Sequence, residues 1–390
     1  MKYYSHFNTA TQILQQYNGK EPFAHFIKNF FRQNKKYGST DRKNISHLCY
    51  CYFRLGHSLK DLPIEEKILI GIFLCNHSSS DLLGHLKPEL NESIHLSLQK
   101  KLSIINDPLS LKDIFPWSTE LSTGVDYEEF CASYLVQPDL FLRIRPGNEE
   151  IVKKKLLNAN TEFTQINDFC ISLNNSTKID EIIKINKEAV IQDYNSQQVG
   201  NFFEPQTTNY KPQTVWDCCA ASGGKSIMAK DKLGNIDLTV SDIRESILIN
   251  HKKRFKEAGI KKYKSFAADL SADNYHRPTA KFDLIIADVP CSGSGTWSRT
   301  PETLCYFDEK EIKGYSELQK KIINNVIPSL KENGRLVYIT CSVFKRENEE
   351  IVDFIQKKLH LQLEKIELLS GYNKKADTMF IATFTNTLKY

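Results

Sequence analysis

The chain has 390 residues, of which 41% are hydrophobic and 25% charged, with a net charge of +5. That is room for two or three domains with the balance of a globular protein. It holds no run of about 18 apolar residues, which excludes a helical membrane span, and residues 1–8 lack the apolar core of a secretion signal, so a cytoplasmic location is expected.

Ten cysteines and no C-x-x-C spacing argue against both a disulfide framework and a structural zinc site, and no metal is expected. The charge is uneven. Residues 1–60 carry ten lysines and arginines, Lys35 and Arg42 among them, against Glu21 and Asp41. Such a surplus suits a polyanion partner, with a solvated helix surface as the plainer explanation.

In chain order, residues 1–118 have apolar positions at helical spacing (Ile13, Leu14, Phe23, Phe26, Ile27, Phe30, Phe31, then Ile45, Leu48, Cys49, Tyr52, Phe53) and predict a helical domain. Residues 67–74 predict a buried helix, and Gly38 to Arg42 a turn with a helix cap. Residues 125–205 predict a small α/β module. Within it, residues 140–147 alternate apolar and basic, which reads as a strand with a wet basic face ending in a turn, followed by a helix over 148–158. From 206 to 390, apolar strands at 214–218, 237–241, 282–288 and 335–340 alternate with helical segments, the mark of a parallel sheet covered on both faces. A last strand over 376–384 is expected to hairpin with 361–368. The fold class is α/β, with a Rossmann-like domain behind two smaller ones.

The first strand of that domain runs into Cys219-Ala220-Ala221-Ser222-Gly223-Gly224-Lys225 and then a helix. Glycines at a strand-to-helix turn admit a ligand close to the backbone, and a helix N-terminus favours a negative group. A phosphate loop would need glycine where Cys219 stands, and a dinucleotide fingerprint would need G-x-G-x-x-G. The remaining candidate is S-adenosylmethionine, with its carboxylate on the helix N-terminus. Asp242, 18 residues after Gly224, is spaced to meet ribose hydroxyls, and Asp269 after the third strand is a candidate for the adenine amine. A turn or cap is the structural alternative for Asp242 taken alone.

Two strand ends deliver cysteines in serine-rich turns: Asp288-Val289-Pro290-Cys291-Ser292-Gly293 and Thr340-Cys341-Ser342. In open α/β sheets ligands bind beyond the carboxyl ends of the strands, so both thiols are expected to face one cleft. A thiolate added to carbon 6 of a cytosine makes carbon 5 nucleophilic toward a methyl sulfonium, and Asp288 is placed to hydrogen-bond the edge of such a base. Spacing leaves open which cysteine attacks, and a lone cysteine would read as a small core residue.

These motifs resemble the RsmB/Sun family of RNA cytosine-5 methyltransferases. Residues 219–225 are similar to its cofactor motif, residues 288–293 to its D-A-P-C-S-G motif, and Thr340-Cys341-Ser342 with Glu347-Asn348-Glu349 to its T-C-S…E-N-E motif. The resemblance implies Cys341 as nucleophile, Cys291 as the cysteine of product release, and cofactor contacts from Cys219, Ala220, Ala221, Ser222, Gly223, Gly224, Lys225, Asp242, Asp269 and Asp288. It extends to residues 141–145 and to Gln192-Asp193 with Ser196-Gln197. Residues 38–54 look like the NusB-type helical RNA-binding domain of some members. The implied partner is RNA, ribosomal first and transfer RNA second, held by Arg143, Arg145, Arg42 and Lys35, with a monomer expected and no membrane. Ser222 stands where the family usually has proline, and residues 297–302 depart from its R-R-x-P-D stretch. A non-catalytic ribosome assembly factor, or a methyltransferase for a small molecule or protein, are the competing classes.

Overall fold

A computed structural model describes residues 2–105, 109–203, 212–275 and 278–387. The boundary expected at 205 and 206 lies outside them. Contacts divide the chain into two units: one of Met1–Thr119, Asp126–Gln137 and Thr296–Glu309, the other of Glu120–Val125, Pro138–Gly295 and Lys310–Tyr390. The small sheet therefore belongs with the large one, and residues 296–309 belong with the helices.

The helical unit carries α1 (Lys2–Gln16), α2 (Phe23–Gln33), α3 (Ser39–Phe53), α4 (Ile64–Cys75), α5 (Asp81–Leu86), α6 (Pro88–Glu92), α7 (Leu98–Ile104) and α8 (Tyr127–Ser133). Its apolar stripes close on one another: Ile13, Phe23, Ile27, Ile45, Phe53, Ile68 and Phe73 are all buried. Every residue from Lys67 to Leu74 of α4 is buried, as its apolar run predicts. The cap of α3 comes from Asp41 reaching back to the Gly38 amide at 3.1 Å. Part of the basic surplus is structural. Buried Arg54 donates to the Tyr134 and Val136 carbonyls at 2.6 and 3.1 Å and to the Ser298 carbonyl at 3.2 Å.

The second unit opens with β1 (Leu140–Ile144), α9 (Glu149–Asn158), β2 (Phe163–Asn167), β3 (Cys170–Leu173), β4 (Ala189–Ile191) and α10 (Tyr194–Gln198). These strands form an antiparallel sheet ordered β2-β3-β1-β4. Then follow β5 (Gln213–Asp217), α11 (Gly224–Leu233), β6 (Ile236–Asp242), α12 (Glu245–Glu257), β7 (Lys264–Ala267), β8 (Phe282–Asp288), α13 (Glu302–Tyr306, in the helical unit), α14 (Lys310–Val326), β9 (Leu330–Thr340), α15 (Glu349–Leu359), β10 (Gln362–Leu369) and β11 (Met379–Thr385). The seven strands order as β10-β11-β9-β8-β5-β6-β7. β5 to β9 run parallel, and β11 joins antiparallel to β9, making the hairpin with β10 that the sequence predicts.

Two buried clusters sandwich this sheet. One gathers Val215, Ile227, Val240, Ile286, Val337 and Ile339, the other Trp216, Ile285, Ala287, Ile323, Leu336 and Tyr338. Alternate residues of each strand thus serve opposite faces, which is why the strands read as continuous apolar runs. β5 is flanked by β6 on one side and β8 on the other, so strand order reverses there. In open α/β sheets it is at such a switch point, beyond the carboxyl ends of the strands, here β5 and β8, that ligands bind. Among the described residues no helix is long and apolar enough to cross a membrane.

The wet basic face expected of β1 is a correction. Arg143 is 6% exposed. Its Nη1 donates to Asp231 Oδ2 of α11 at 2.7 Å and its Nε to Gln192 Oε1 at 2.8 Å. Arg145 Nη2 donates to Asp231 Oδ1 at 2.7 Å, and its Nη1 to the Asn186 and Ala258 carbonyls at 2.9 and 2.7 Å. The two guanidiniums join the small sheet to α11, Arg143 buried and Arg145 half-buried. A buried charge demands a buried countercharge, and Asp231 supplies it from 86 residues along the chain.

Candidate active site

The loop after β5 is built from the backbone outward. Gly223, at φ 82°, is the residue before α11, and a Cβ there would lie 2.8 Å from Phe255 Cε1 and 2.9 Å from His251 Nε2. Both the left-handed conformation and the close packing of α12 therefore require glycine. The Ala220 amide donates to the Ser241 carbonyl at 2.9 Å, and the Ala221 amide to Asp242 Oδ2 at 3.0 Å. The other Asp242 oxygen accepts from the Arg244 amide at 2.9 Å. Asp242 thus braces the loop and also forms the local turn that was its structural alternative. Arg244 Nε also donates to Asp242 Oδ1 at 3.2 Å, so three of the carboxylate's about four lone-pair sites are taken and one is left for a hydroxyl.

Asp269 is exposed beyond β7, and its Oδ1 accepts the Ser271 amide and hydroxyl at 2.9 and 2.6 Å, the hydroxyl first among the bonds that hold its carboxyl below the usual range. The neighbouring Ala268 amide donates to the Asp242 carbonyl at 3.1 Å, so Asp269 stands on the same edge of the sheet as Asp242. The first amides of α11 point out of the helix without intrahelical acceptors, as at any helix start. Half-buried Cys219, exposed Ala221 and Ser222, and half-buried Gly224 and Lys225 surround them, whereas Ala220 and Gly223 face inward. This cradle fits the amino-acid end of S-adenosylmethionine, and Asp242 fits its ribose.

Lys225, in the first turn of α11, crosses to β8 and donates to Asp288 Oδ2 at 2.6 Å. Burial alone would lower its ammonium, but the Asp288 carboxylate, with smaller contributions from Cys341 and Asp217, holds it above the ordinary lysine range. Cys291 follows β8 and Cys341 follows β9, a directly paired parallel strand. Their sulfurs are 3.3 Å apart. The Cys341 sulfur, and burial after it, push the Cys291 thiol well above its ordinary range.

What holds the two cysteine turns together is a group to which the motif comparison assigned no role. Glu347 is fully buried. Its Oε2 accepts from the Ser292 amide at 2.8 Å and from Gln319 Nε2 at 3.1 Å, while its Oε1 accepts the Ser342 hydroxyl at 2.7 Å. One carboxylate therefore grips the residue after each cysteine. Burial raises its carboxyl above the usual value despite these donors. Asn348 accepts from Thr340 Oγ1 at 2.6 Å and donates to the Ser342 carbonyl at 2.9 Å, and Glu349 accepts from the Ser122 hydroxyl at 2.9 Å. The E-N-E stretch is thus a frame for the thiols. Gln319 carries no local signal, since it reaches Glu347 from α14. Gly295 completes the turn: its amide donates to the Cys341 carbonyl at 2.9 Å, and a Cβ there would fall 2.1 Å from the Thr378 carbonyl oxygen.

Asp217, the last residue of β5, is fully buried, and only its Oδ2 is bonded, to the Ser226 hydroxyl at 2.5 Å. Burial pushes its carboxyl from 3.8 up to about 7. The folded chain therefore binds this proton more tightly than the unfolded chain does. The stability it contributes is full below the unfolded value and is lost as pH rises to about 7. Asp217→Asn should gain on the parent by up to about 4 kcal/mol between about pH 4 and about pH 8. Urea unfolding of both proteins across that interval checks this, and a difference independent of pH contradicts it.

Of the remaining sequence candidates, Lys35 and Arg42 are exposed in the helical unit, with Arg42 Nε bonded to the Tyr37 carbonyl at 2.9 Å. Arg143 and Arg145, in the other unit, are committed to Asp231.

Residues 203–386 match the sequence model of the 16S rRNA methyltransferase RsmB/F family. A ribosomal RNA small subunit methyltransferase B from Salmonella paratyphi A is 31% identical over 173 residues, which is 43% of this chain and 38% of that protein. The match thus spans well under half the length of that relative. Among solved structures, PH0851 is similar over 96% of both chains, with a TM-score of 0.68 at 19% identity. NSun6 from Pyrococcus horikoshii, solved with SFG, is similar over 68% of this chain and 95% of its own, with a TM-score of 0.57 at 15% identity. At these identities the structural likenesses establish the fold. The sheet order and the sequence match agree on where the likeness lies: residues 203–386 are similar to the RsmB/F methyltransferase model.

Proposed function

We propose that this chain transfers a methyl group from S-adenosylmethionine to carbon 5 of a cytosine in RNA, with ribosomal RNA as the substrate. The observation that carries the reading is the pair of thiols 3.3 Å apart at neighbouring strand ends, beside a lysine rooted in the cofactor loop. A methyltransferase acting on an already nucleophilic oxygen or nitrogen has no use for them. Ribosomal RNA is favoured by the names of the relatives, and a cytoplasmic location follows from that substrate.

S-adenosylmethionine supplies an electrophilic methyl on a sulfonium. The chain supplies the rest. Cys341 attacks carbon 6 of the base as a thiolate, forming an S–C6 bond and shifting electron density to carbon 5. Carbon 5 takes the methyl group. A base then removes the carbon-5 proton, the C6–S bond breaks, and the thiolate of Cys341 returns. The two sulfurs are within hydrogen-bonding reach and either can donate to the other, and the resemblance of residues 340–342 to the family's T-C-S motif is what assigns the attack to Cys341. Asp288, fixed by Lys225, faces the same crevice and holds the polar edge of the ring. The base must lie outside a duplex stack for carbon 6 to be reached. The helical unit, with exposed Lys35 and Arg42, contributes phosphate contacts.

Purified chain incubated with labelled S-adenosylmethionine and RNA from a strain lacking the gene should transfer label to 5-methylcytosine at one or a few positions. Bisulfite sequencing of ribosomal and transfer RNA locates them. Absence of transfer to either RNA overturns the assignment, and label confined to transfer RNA replaces the substrate.

A further inference from the structure

The cofactor loop is exposed where it bends most. Ala221 is exposed at φ 42°, a left-handed conformation unfavourable for alanine, and Gly223 follows at φ 82°. Asp242 holds the Ala221 amide and the Ala220 carbonyl holds the Gly223 amide. Ser222 between them is exposed at the apex, in the place of the proline that would stiffen the backbone. Here Arg254 of α12 reaches over it. One guanidinium nitrogen, Nη1, donates to the Ser222 carbonyl at 2.8 Å and to its hydroxyl at 2.7 Å.

Arg254 does not swing freely. Its Nε donates to Asn186 Oδ1 at 2.7 Å. Asn186 is itself buried and held on every side: its amide donates to the Ala189 carbonyl at 2.7 Å, its Nδ2 to Glu257 Oε2 at 2.9 Å, and its carbonyl accepts from Arg145 Nη1 at 2.9 Å. Arg145 is in turn paired with Asp231 on α11. The loop that begins α11 is thus fastened back, through Arg254, Asn186 and Arg145, to the far end of the same helix.

We propose that Arg254 is a positioning residue for S-adenosylmethionine, holding the 219–225 loop in its binding conformation through Ser222. The inference rests on the cofactor reading of that loop. Arg254 touches neither thiol nor Asp288, so its contribution lies in cofactor affinity and not in turnover of the bound complex. When a binding-competent conformation is only partly populated, apparent affinity falls by that fraction. Losing a charge-assisted bond to a carbonyl and a hydroxyl allows the apex to relax, which reduces the fraction by about 10- to 100-fold.

Calorimetric titration with S-adenosylmethionine, alongside steady-state kinetics, tests this on the full chain. Arg254→Met should weaken binding by about 10- to 100-fold with kcat at saturating cofactor within about twofold. Ser222→Ala, which keeps the carbonyl contact, should weaken it by about threefold. The double variant should be no weaker than Arg254→Met, because one clamp is removed once. Arg254→Lys should recover part of the affinity, and it also serves if the methionine variant fails to fold. Unchanged affinity in Arg254→Met and Arg254→Lys, a fall in kcat at constant affinity, or additive losses in the double variant each overturn the clamp. Asp242→Ala separates the two levels: if it abolishes binding while the Arg254 variants do not, only the clamp fails. If all three bind as the parent does, the loop is not the cofactor site.

Discussion

Cys341→Ala should abolish methyl transfer and the covalent enzyme–RNA complex together, with turnover falling on the order of 10⁴-fold or more because the attacking thiolate is removed. Cys291→Ala should behave differently. The S–C6 bond still forms and the methyl still arrives, but release slows, so an adduct resistant to denaturing gel electrophoresis accumulates. The two outcomes follow from the different roles proposed for two sulfurs that lie 3.3 Å apart. Substituting either residue leaves the frame intact, since Glu347 grips Ser292 and Ser342 and not the sulfurs. An adduct that persists in Cys341→Ala and vanishes in Cys291→Ala reverses the assignment.

The second large effect concerns Lys225 and Asp288. Their side chains are 12% and 27% exposed, so Asp288→Asn leaves a mostly buried ammonium without its countercharge. Breaking such a pair from one side should destabilise the fold by about 3–5 kcal/mol, read from urea unfolding. Activity should fall by on the order of 100-fold or more, because both the ring contact and the seat of Lys225 are lost. Lys225→Met with Asp288→Leu removes both charges, and the double variant should recover most of the stability but none of the activity. If stability does not recover, the pair is not the source of the loss. If activity returns, neither group serves the reaction.

The placement of the candidate site's parts was legible in sequence because they are local. A strand, a glycine turn and a helix start are neighbours in the chain, and each cysteine lies directly after an apolar strand, so periodicity alone puts residues 219–225, Cys291 and Cys341 at strand ends. The hairpin of β10 and β11 was readable for the same reason. Glu347 was visible as part of a motif, but its task was not, because its partners come from β8, β9 and α14.

Arg143 and Arg145 mark the opposite limit. Alternation of apolar and basic residues along β1 is a correct statement about which residues share a face of the strand. Whether that face is wet depends on what packs against it, and α11 brings Asp231 there from a distant part of the chain. A charged residue on a strand looks the same in sequence whether water or a buried carboxylate neutralises it. Spacing could therefore place both thiols and the 219–225 loop at strand ends and give the order of the elements. Only the folded chain brought the two sulfurs into contact, turned the E-N-E stretch into a frame, buried Arg143 and tied half-buried Arg145 to the same carboxylate, because those outcomes depend on long-range partners that no local pattern encodes.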